Sequence, residues 1–155
     1  MIPLDFNVHV CDAQIEPKLL AFFEAVNDDF VPALSQWVNL FEYAQKLSRN
    51  AVCWLVYESE ELIGVSACYV NVAPAYSFWT MLAIRKEYRN RMIALPLEQK
   101  VISYCKTMGS AGIKAEVDPR HVELIQLHRM FGFEVEQEQI LETGRRYVPL
   151  TLTFK

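Results

Sequence analysis

The stretch that decides the fold reads FWTMLAIRKEYRNRMIA and covers residues 78–94. Its first seven residues are almost wholly apolar, which predicts a strand that is covered on both faces of its sheet. Four bases and one acid follow over residues 85–91. A helix is predicted over about 92–108, with one face formed by Leu97, Val101, Tyr104 and Met108. The first turn of a helix offers unpaired N–H groups and the positive end of its dipole, so this bend predicts a seat for a phosphate or diphosphate. A solvated basic loop explains the same residues equally well.

Upstream of this stretch, the chain predicts two helices followed by a sheet. Apolar residues at helical spacing indicate helices over residues 16–28 and 35–47, the second capped by Ser35. Residues 51–57 and 62–70 are apolar runs on either side of a charged turn, which predicts a β-hairpin. Residues 75–84 then complete this group of strands.

Downstream, strands and helices alternate. Strand 111–117 precedes a helix that Asp118 and Pro119 open and that ends near Met130, and strands are predicted over 133–141 and 147–154. The order β-α-α-β-β-β-α-β-α-β-β predicts a mixed α/β sheet flanked by helices, in a single domain over residues 1–155.

Composition excludes several classes of protein. The 155 residues are 52% hydrophobic and 22% charged, which argues against a disordered chain. A net charge of −4 and a pI of about 5.4 argue against a nucleic-acid binder. The longest apolar run, residues 51–57, is too short to span a membrane. A secretory signal would begin with basic residues, and the first one here is Lys18. We therefore expect a cytoplasmic protein without membrane or nucleic-acid partners.

The four cysteines, Cys11, Cys53, Cys68 and Cys105, are widely spaced among apolar neighbours. This spacing is typical of reduced, half-buried thiols, with a disulfide pair as the less favoured alternative. The sequence contains no CxxC motif and no Cys/His cluster, so no metal site is expected.

Two short motifs resemble those of the GNAT acetyltransferases. Residues 89–94 are similar to the family signature, in which Gln or Arg is followed three residues later by Gly and five residues later by Gly or Ala. Residues 127–133 are similar to the family's Leu-Tyr-x-x-x-Gly-Phe segment, and residues 40–50 and 64–71 resemble bacterial, small-molecule members. The resemblance covers nearly the whole chain in element order. It implies a GNAT-like, mostly antiparallel sheet, with acetyl-CoA as co-substrate.

The resemblance also implies which residues bind acetyl-CoA. The signature loop cradles the diphosphate with backbone amides, and the preceding strand, splayed from its neighbour, binds the pantetheine arm. A residue early in a later helix often faces the cofactor, although a surface or capping role is the preferred interpretation for it here. In this chain the signature loop comprises Arg89, Asn90, Arg91, Met92, Ile93 and Ala94. The strand residues are Met81, Leu82, Ala83 and Ile84, and the residue early in the later helix is His121.

Met92 departs from the signature, because it stands where the family has a glycine. Glycine permits a positive φ and close approach of the backbone, and methionine permits neither freely. If φ of Met92 is negative, the loop can form and bind phosphate. If φ is positive, we expect weaker cofactor binding.

Candidates for proton transfer are His128 and Glu116. His128 replaces the tyrosine that, in many relatives, protonates the departing thiolate, and it could serve as acid or as base near neutral pH. Packing beside Leu124 and Phe131 is the structural alternative. Glu116 is a conceivable base on the strand beside the acyl site, although a solvated acid is the commoner case. The strand at residues 78–84 carries no acid, so the base is unidentified, and Asp118 is interpreted as a helix cap.

The resemblance favours a transferase that moves the acetyl group of acetyl-CoA to a small primary amine, with an amino sugar as one acceptor class. The alternatives are a GNAT-fold binding module with weak or no activity, which Met92 and the missing strand acid motivate, and a peptide or protein N-acetyltransferase. Four aromatic residues could line an acceptor pocket, belong to the core or form a homodimer contact: Tyr69, Tyr76, Phe78 and Trp79.

Overall fold

A computed structural model describes residues 3–155, apart from the side chains of Asn90 and Arg91. The described chain folds into four α-helices and eight β-strands. The helices are α1 (Glu16–Val26), α2 (Leu40–Asn50), α3 (Ala94–Thr107) and α4 (Val122–Met130). The strands are β1 (Leu4–Val10), β2 (Val52–Glu58), β3 (Glu61–Tyr69), β4 (Ser77–Ile84), β5 (Gly112–Val117), β6 (Glu134–Val135), β7 (Gln139–Ile140) and β8 (Arg146–Thr153).

The strands form a sheet in the order β1-β2-β3-β4-β5-β8-β6, and β7 pairs with β8. Strands β4 and β5 are parallel, whereas β1–β2, β2–β3, β5–β8, β6–β8 and β7–β8 are antiparallel. The mixed, mostly antiparallel α/β sheet expected from the sequence is confirmed. Parallel pairing of β4 with β5 requires a crossover, which α3 supplies.

Contacts within the chain divide it into two compact units. One comprises the residues up to 68 and residues 81–94, and the other comprises residues 69–80 and 95–155. The first has a core from α1, α2 and the hairpin, including Phe23, Leu47 and Leu55. The second has a core that includes Leu97, Ile113 and Leu150. The expectation of one domain over residues 1–155 stays a prediction.

Two predicted helix starts are wrong. Helix α2 begins after Asn39, whose side chain accepts a hydrogen bond from the Glu42 amide at 3.0 Å, so Asn39 caps it in place of Ser35. Ser35 lies instead in a short 3-10 helix, where its amide donates to Asn27 Oδ1 at 2.7 Å. Helix α4 begins at Val122, three residues after the predicted proline.

The acid-rich segment predicted as one strand over residues 133–141 forms two strands of two residues each, β6 and β7. Both are exposed, and they pair with β8 at different points. None of the helices in residues 3–155 combines the length and the apolarity needed to cross a membrane.

Candidate active site

The basic bend joins β4 to α3. A 3-10 helix covers Lys86–Arg91, Met92 follows it, and the buried side chain of Ile93 anchors the chain before α3 begins at Ala94. The first amides of an α-helix have no partner within the helix, and the helix dipole is positive there. A loop that delivers the chain to this point can therefore present main-chain donors to an anion.

Met92 adopts the left-handed conformation, with φ of +54° and ψ of +34°. The sequence did not determine the sign of φ at Met92. The structure has a positive φ, which glycine would adopt without strain. A non-glycine residue pays about 1–2 kcal/mol for this conformation. The Met92 side chain is 68% exposed, so contacts with the core do not compensate for the strain.

The three described basic side chains of the bend are engaged by acids of the same unit. Arg85 pairs with Glu61 at 2.7 Å, and Asp29 lies 3.6 Å from the Lys86 ammonium and 3.7 Å from the Arg89 guanidinium. Arg89 Nε also donates to the carbonyl of Ile84 at 3.0 Å. These contacts hold the bend in place, so a diphosphate bound here would depend on main-chain amides more than on Arg85, Lys86 and Arg89. The expected roles of the Asn90 and Arg91 side chains lie outside the described residues.

Tyr88 fixes the bend to the β2–β3 turn. Its hydroxyl donates to Glu61 at 3.3 Å and to Glu58 at 3.4 Å. Desolvation, followed by the charges of these two carboxylates, raises the pKa of Tyr88, so the hydroxyl remains a neutral donor. The conformation of the bend is thus held from within its own unit.

Strand β4 contains the four residues expected to bind the pantetheine arm. Met81, Ala83 and Ile84 are buried and Leu82 is half-buried. The pairing of β4 with β5 runs from Ser77↔Ile113 to Trp79↔Ala115 and ends there, although both strands continue. An early end to the pairing is what the expected splaying of these strands requires.

His128 on α4 and Glu98 on α3 form a buried pair. His128 Nδ1 lies 2.8 Å from Glu98 Oε2, and the side chains are 3% and 0% exposed. Within the part of the chain that the structure describes, Glu98 Oε1 has no hydrogen-bond partner. A buried carboxylate is costly unless another group compensates for its charge, and His128 is the group in contact with it.

Aromatic rings enclose the imidazole of His128. Its centroid lies 4.8 Å from that of Trp79, in an edge-to-face arrangement, and 4.9 Å from that of Phe133. These neighbours differ from the expected Leu124 and Phe131. Trp79 is itself buried, so of the possible roles considered for the aromatic group it has a core role.

Glu98 is the member of this buried pair that sequence reasoning missed. The predicted inner face of α3 included Tyr104 and Met108, but Tyr104 is half-buried and Met108 is exposed. The buried face consists of Leu97, Glu98, Val101 and Cys105. The spacing of Glu98 to Val101 and Cys105, at i+3 and i+7, was the available signal, because these positions share one helix face.

Glu116 is exposed on β5, between the buried Ala115 and Val117. Successive strand residues point to opposite faces of a sheet, and Ala115 pairs with Trp79, on which His128 packs. The Glu116 side chain therefore faces away from the sheet face that carries His128. Its exposure agrees with the solvated-acid alternative.

His121 is half-exposed at the residue before α4, and its side chain makes no capping hydrogen bond, so the capping alternative is wrong. Asp118 does not cap α4 either. Its carboxylate accepts from the Arg120 amide at 2.9 Å and from Arg120 Nε at 3.0 Å. The hydrogen bonds from the Arg120 side chain lower the pKa of Asp118 against the opposing effect of burial, which makes this carboxylate a weak base.

All four cysteines are free thiols; Cys11 is exposed and the other three are buried. Burial, with a smaller contribution from Cys11, raises the pKa of Cys53 to about 12, so this sulfur is protonated and unreactive at neutral pH. Among the described residues, no group of three or more His, Cys, Asp or Glu side chains could hold a metal ion.

The order of the strands, the bend and the crossover helix define an acyltransferase-type α/β fold. Residues 17–133 match the model of the acetyltransferase (GNAT) family, and the chain belongs to this family. No match to the chain was found among curated protein sequences.

Solved structures share the fold at low sequence identity. A GNAT-family acetyltransferase from Streptococcus pneumoniae is 14% identical, with a TM-score of 0.74 over 97% of this chain and 100% of that one. NAA60 from Arabidopsis thaliana in complex with acetyl-CoA is 17% identical, with a TM-score of 0.73 over 97% and 98%. The NatC complex bound to Gag peptide and CoA contains a chain that is 15% identical, with a TM-score of 0.75 over 97% and 99%.

Proposed function

We propose that this protein transfers the acetyl group of acetyl-CoA to a small primary amine, with amino sugars as the first acceptor class to test. Membership of the acetyltransferase family supports the reaction type. The observation that carries the proposal is that the bend of Lys86–Arg91 leads directly into the N-terminus of α3, where the first amides have no partner within the helix. The acetyl-CoA complex of a protein with the same fold supports the choice of co-substrate.

The residues have distinct proposed roles. Main-chain amides of residues 89–94 bind the diphosphate, and the backbone of residues 81–84 binds the pantetheine arm. His121 contacts the cofactor, and His128 lies near the sulfur, where it takes part in proton transfer as acid or base. Glu116 is retained as a candidate base only in a path that involves water, because its side chain is on the other sheet face from Trp79.

Calorimetric titration of the protein with acetyl-CoA tests the cofactor. We expect saturable binding, and no binding at millimolar concentration would end the proposal. For the chemistry, we expect His128→Phe to lower turnover by about a hundredfold, as loss of a general acid does, while His9→Phe on β1 leaves it unchanged. Unchanged turnover of the His128 variant would remove this residue from the mechanism.

A peptide acceptor is a second candidate. The chain in the NatC complex shares the fold, and that complex is bound to a peptide. A thiol-release assay with free amino sugars and basic peptides, each with acetyl-CoA, separates the two. Release of CoA thiol with amino sugars or other small amines alone supports the first proposal, and release with peptides alone supports the second.

The binding module is the remaining candidate. The strain at Met92 and the engagement of Arg89 by Asp29 are the observations that motivate it. It predicts that acetyl-CoA binds and that no amine releases the thiol, whereas a transferase releases it with at least one acceptor.

A further inference from the structure

Glu98 and His128 form an ionisable pair almost entirely removed from water. Glu98 is fully buried, and the 3% exposure in the pair belongs to His128. Of the two side chains, only that of His128 has any surface through which it could contact a bound molecule. Any effect of Glu98 on a reaction must pass through the hydrogen bond between Glu98 Oε2 and His128 Nδ1, which spans 2.8 Å.

Charge balance restricts where the protons of this pair reside. A buried pair with a net charge is costly, so the states in which the pair is neutral overall are favoured. Either the imidazole is doubly protonated beside a carboxylate, or a protonated Glu98 donates to Nδ1 of a neutral imidazole. In both states Nε2 carries a hydrogen. A third neutral arrangement, with the carboxyl proton on Oε1 and Nδ1–H donating to Oε2, leaves Nε2 bare. It is disfavoured because it buries an O–H donor at Oε1, which has no partner among the described residues. With the carboxylate ionised, a bare Nε2 leaves one uncompensated negative charge in the interior.

Among the residues that the structure describes, no other charged group contacts the imidazole and relieves this restriction. Trp79 from β4 and Phe133 from the segment after α4 pack against the ring and carry no titratable group. Glu98 from α3 is the ionisable neighbour with a hydrogen bond to His128. Within the described residues, Glu98 Oε1 receives no donor, so compensation for the carboxylate charge falls to His128.

We propose that Glu98 is a positioning residue that keeps a proton on His128 Nε2, so that His128 acts as an acid toward the leaving sulfur and not as a base toward the amine. The inference deepens the proposed function and rests on it. It also decides between the two roles that histidine chemistry leaves open at this position.

The proposed step balances as follows. The amine nitrogen attacks the thioester carbonyl carbon, a C–N bond forms, and the C–S bond breaks with its electron pair on sulfur. The sulfur takes the Nε2 proton and leaves as the free thiol. The attacking nitrogen loses its proton to water, and water returns a proton to the pair, which restores its neutrality.

The primary test is ¹⁵N NMR of the histidine side chains in the intact wild-type protein at pH 7. The chain has three histidines, so a His128→Gln spectrum identifies the signal. We expect a protonated Nε2. A neutral ring with its proton on Nδ1 alone would overturn the inference, and this result needs no substrate and no stable Glu98 variant.

The second test is Glu98→Gln, which keeps the shape of the side chain and removes its charge. A bare Nε2 then costs no buried charge, so we expect it to be populated. We also expect kcat to fall about tenfold or more with KM for acetyl-CoA unchanged. Glu123→Gln, on the exposed side of α4, is the matched control and should leave both the spectrum and kcat as in the wild type.

A Glu98→Gln variant with wild-type kcat would overturn the inference even if acetyl-CoA binds and is consumed. Failure of the proposed function looks different: the wild-type protein would not bind acetyl-CoA in calorimetry, whatever the histidine spectrum. The binding measurement and the spectrum thus fail independently.

Discussion

Met92 has a backbone conformation that its residue type disfavours. Its left-handed backbone is held although the side chain is exposed and the conformation is unfavourable for methionine. The hydrogen bonds of Arg89 to Ile84 and of Tyr88 to the β2–β3 turn fix the loop from one side, and the buried Ile93 fixes it from the other. The surroundings therefore impose the conformation that the residue type disfavours.

We expect Met92→Gly to raise the free energy of unfolding by about 0.5–1 kcal/mol, because the strain removed exceeds the entropy that glycine adds to the unfolded chain. It should also tighten acetyl-CoA binding, since glycine permits closer approach to the main chain. Chemical denaturation and calorimetry measure the two effects.

Ser59→Gly is the matched control for this prediction. Ser59 has a φ of +56° in the β2–β3 turn, so the substitution should give a similar gain in stability without a change in acetyl-CoA affinity. A Met92→Gly protein with unimproved affinity would favour the binding module over the transferase.

At the scale of the helix and the strand, the sequence predicts what local patterns determine. The hairpin followed from two apolar runs and a charged turn, and α3 followed from the spacing of Leu97 and Val101. The start of α2 was misplaced because Ser35 and Asn39 are both good caps, and the choice between them depends on Asn27, which captures Ser35. That contact is tertiary, and propensity cannot reveal it.

The site was predictable only in its contiguous part. The bend and its helix could be recognised because residues 85–94 adjoin along the chain. The partner of His128 could not be recognised in this way. Glu98 is 30 positions away, and the pair forms only when α3 and α4 pack together. A glutamate on a helix is also far more often solvated than buried.

The close packing around Gly112 on β5 allows a prediction about stability. A Cβ added there would lie 2.1 Å from the carbonyl oxygen of Leu152 on β8 and 2.6 Å from the Tyr76 ring. The ring is held by a 2.9 Å hydrogen bond between its hydroxyl and that of Thr153, and the Lys114 ammonium lies over the ring, so it cannot move easily. We expect Gly112→Ala to lower the free energy of unfolding by about 2–3 kcal/mol, measured by chemical denaturation.

Gly64→Ala on β3 is the control for Gly112. The nearest heavy atom to an added Cβ there is Val56 Cβ at 3.4 Å, which is ordinary contact, so we expect a loss below about 1 kcal/mol. Equal losses at the two positions would show that the β5–β8 pairing adjusts and that the packing around Tyr76 is not rigid.

On the scale of the whole molecule, the two compact units are not independent segments of chain. The boundary between them falls three times within regular elements: at the end of β3, in the middle of β4 and at the first residue of α3. Neither unit is contiguous in sequence. Unfolding one unit would fray β4, which supplies residues to both.

We therefore expect the protein to unfold in a single cooperative transition, as a single domain over residues 1–155 does. Trp54 on β2 lies in the first unit and Trp79 on β4 in the second, and both are buried. Two double variants each keep a single tryptophan. Trp37→Phe with Trp79→Phe leaves Trp54, whose fluorescence follows the first unit during denaturation. Trp37→Phe with Trp54→Phe leaves Trp79, which follows the second unit. Within each variant the fluorescence midpoint should coincide with that of the far-ultraviolet circular dichroism. A fluorescence transition displaced from the backbone transition in either variant would mean that one unit unfolds while the other remains folded, and the single-domain prediction would be wrong.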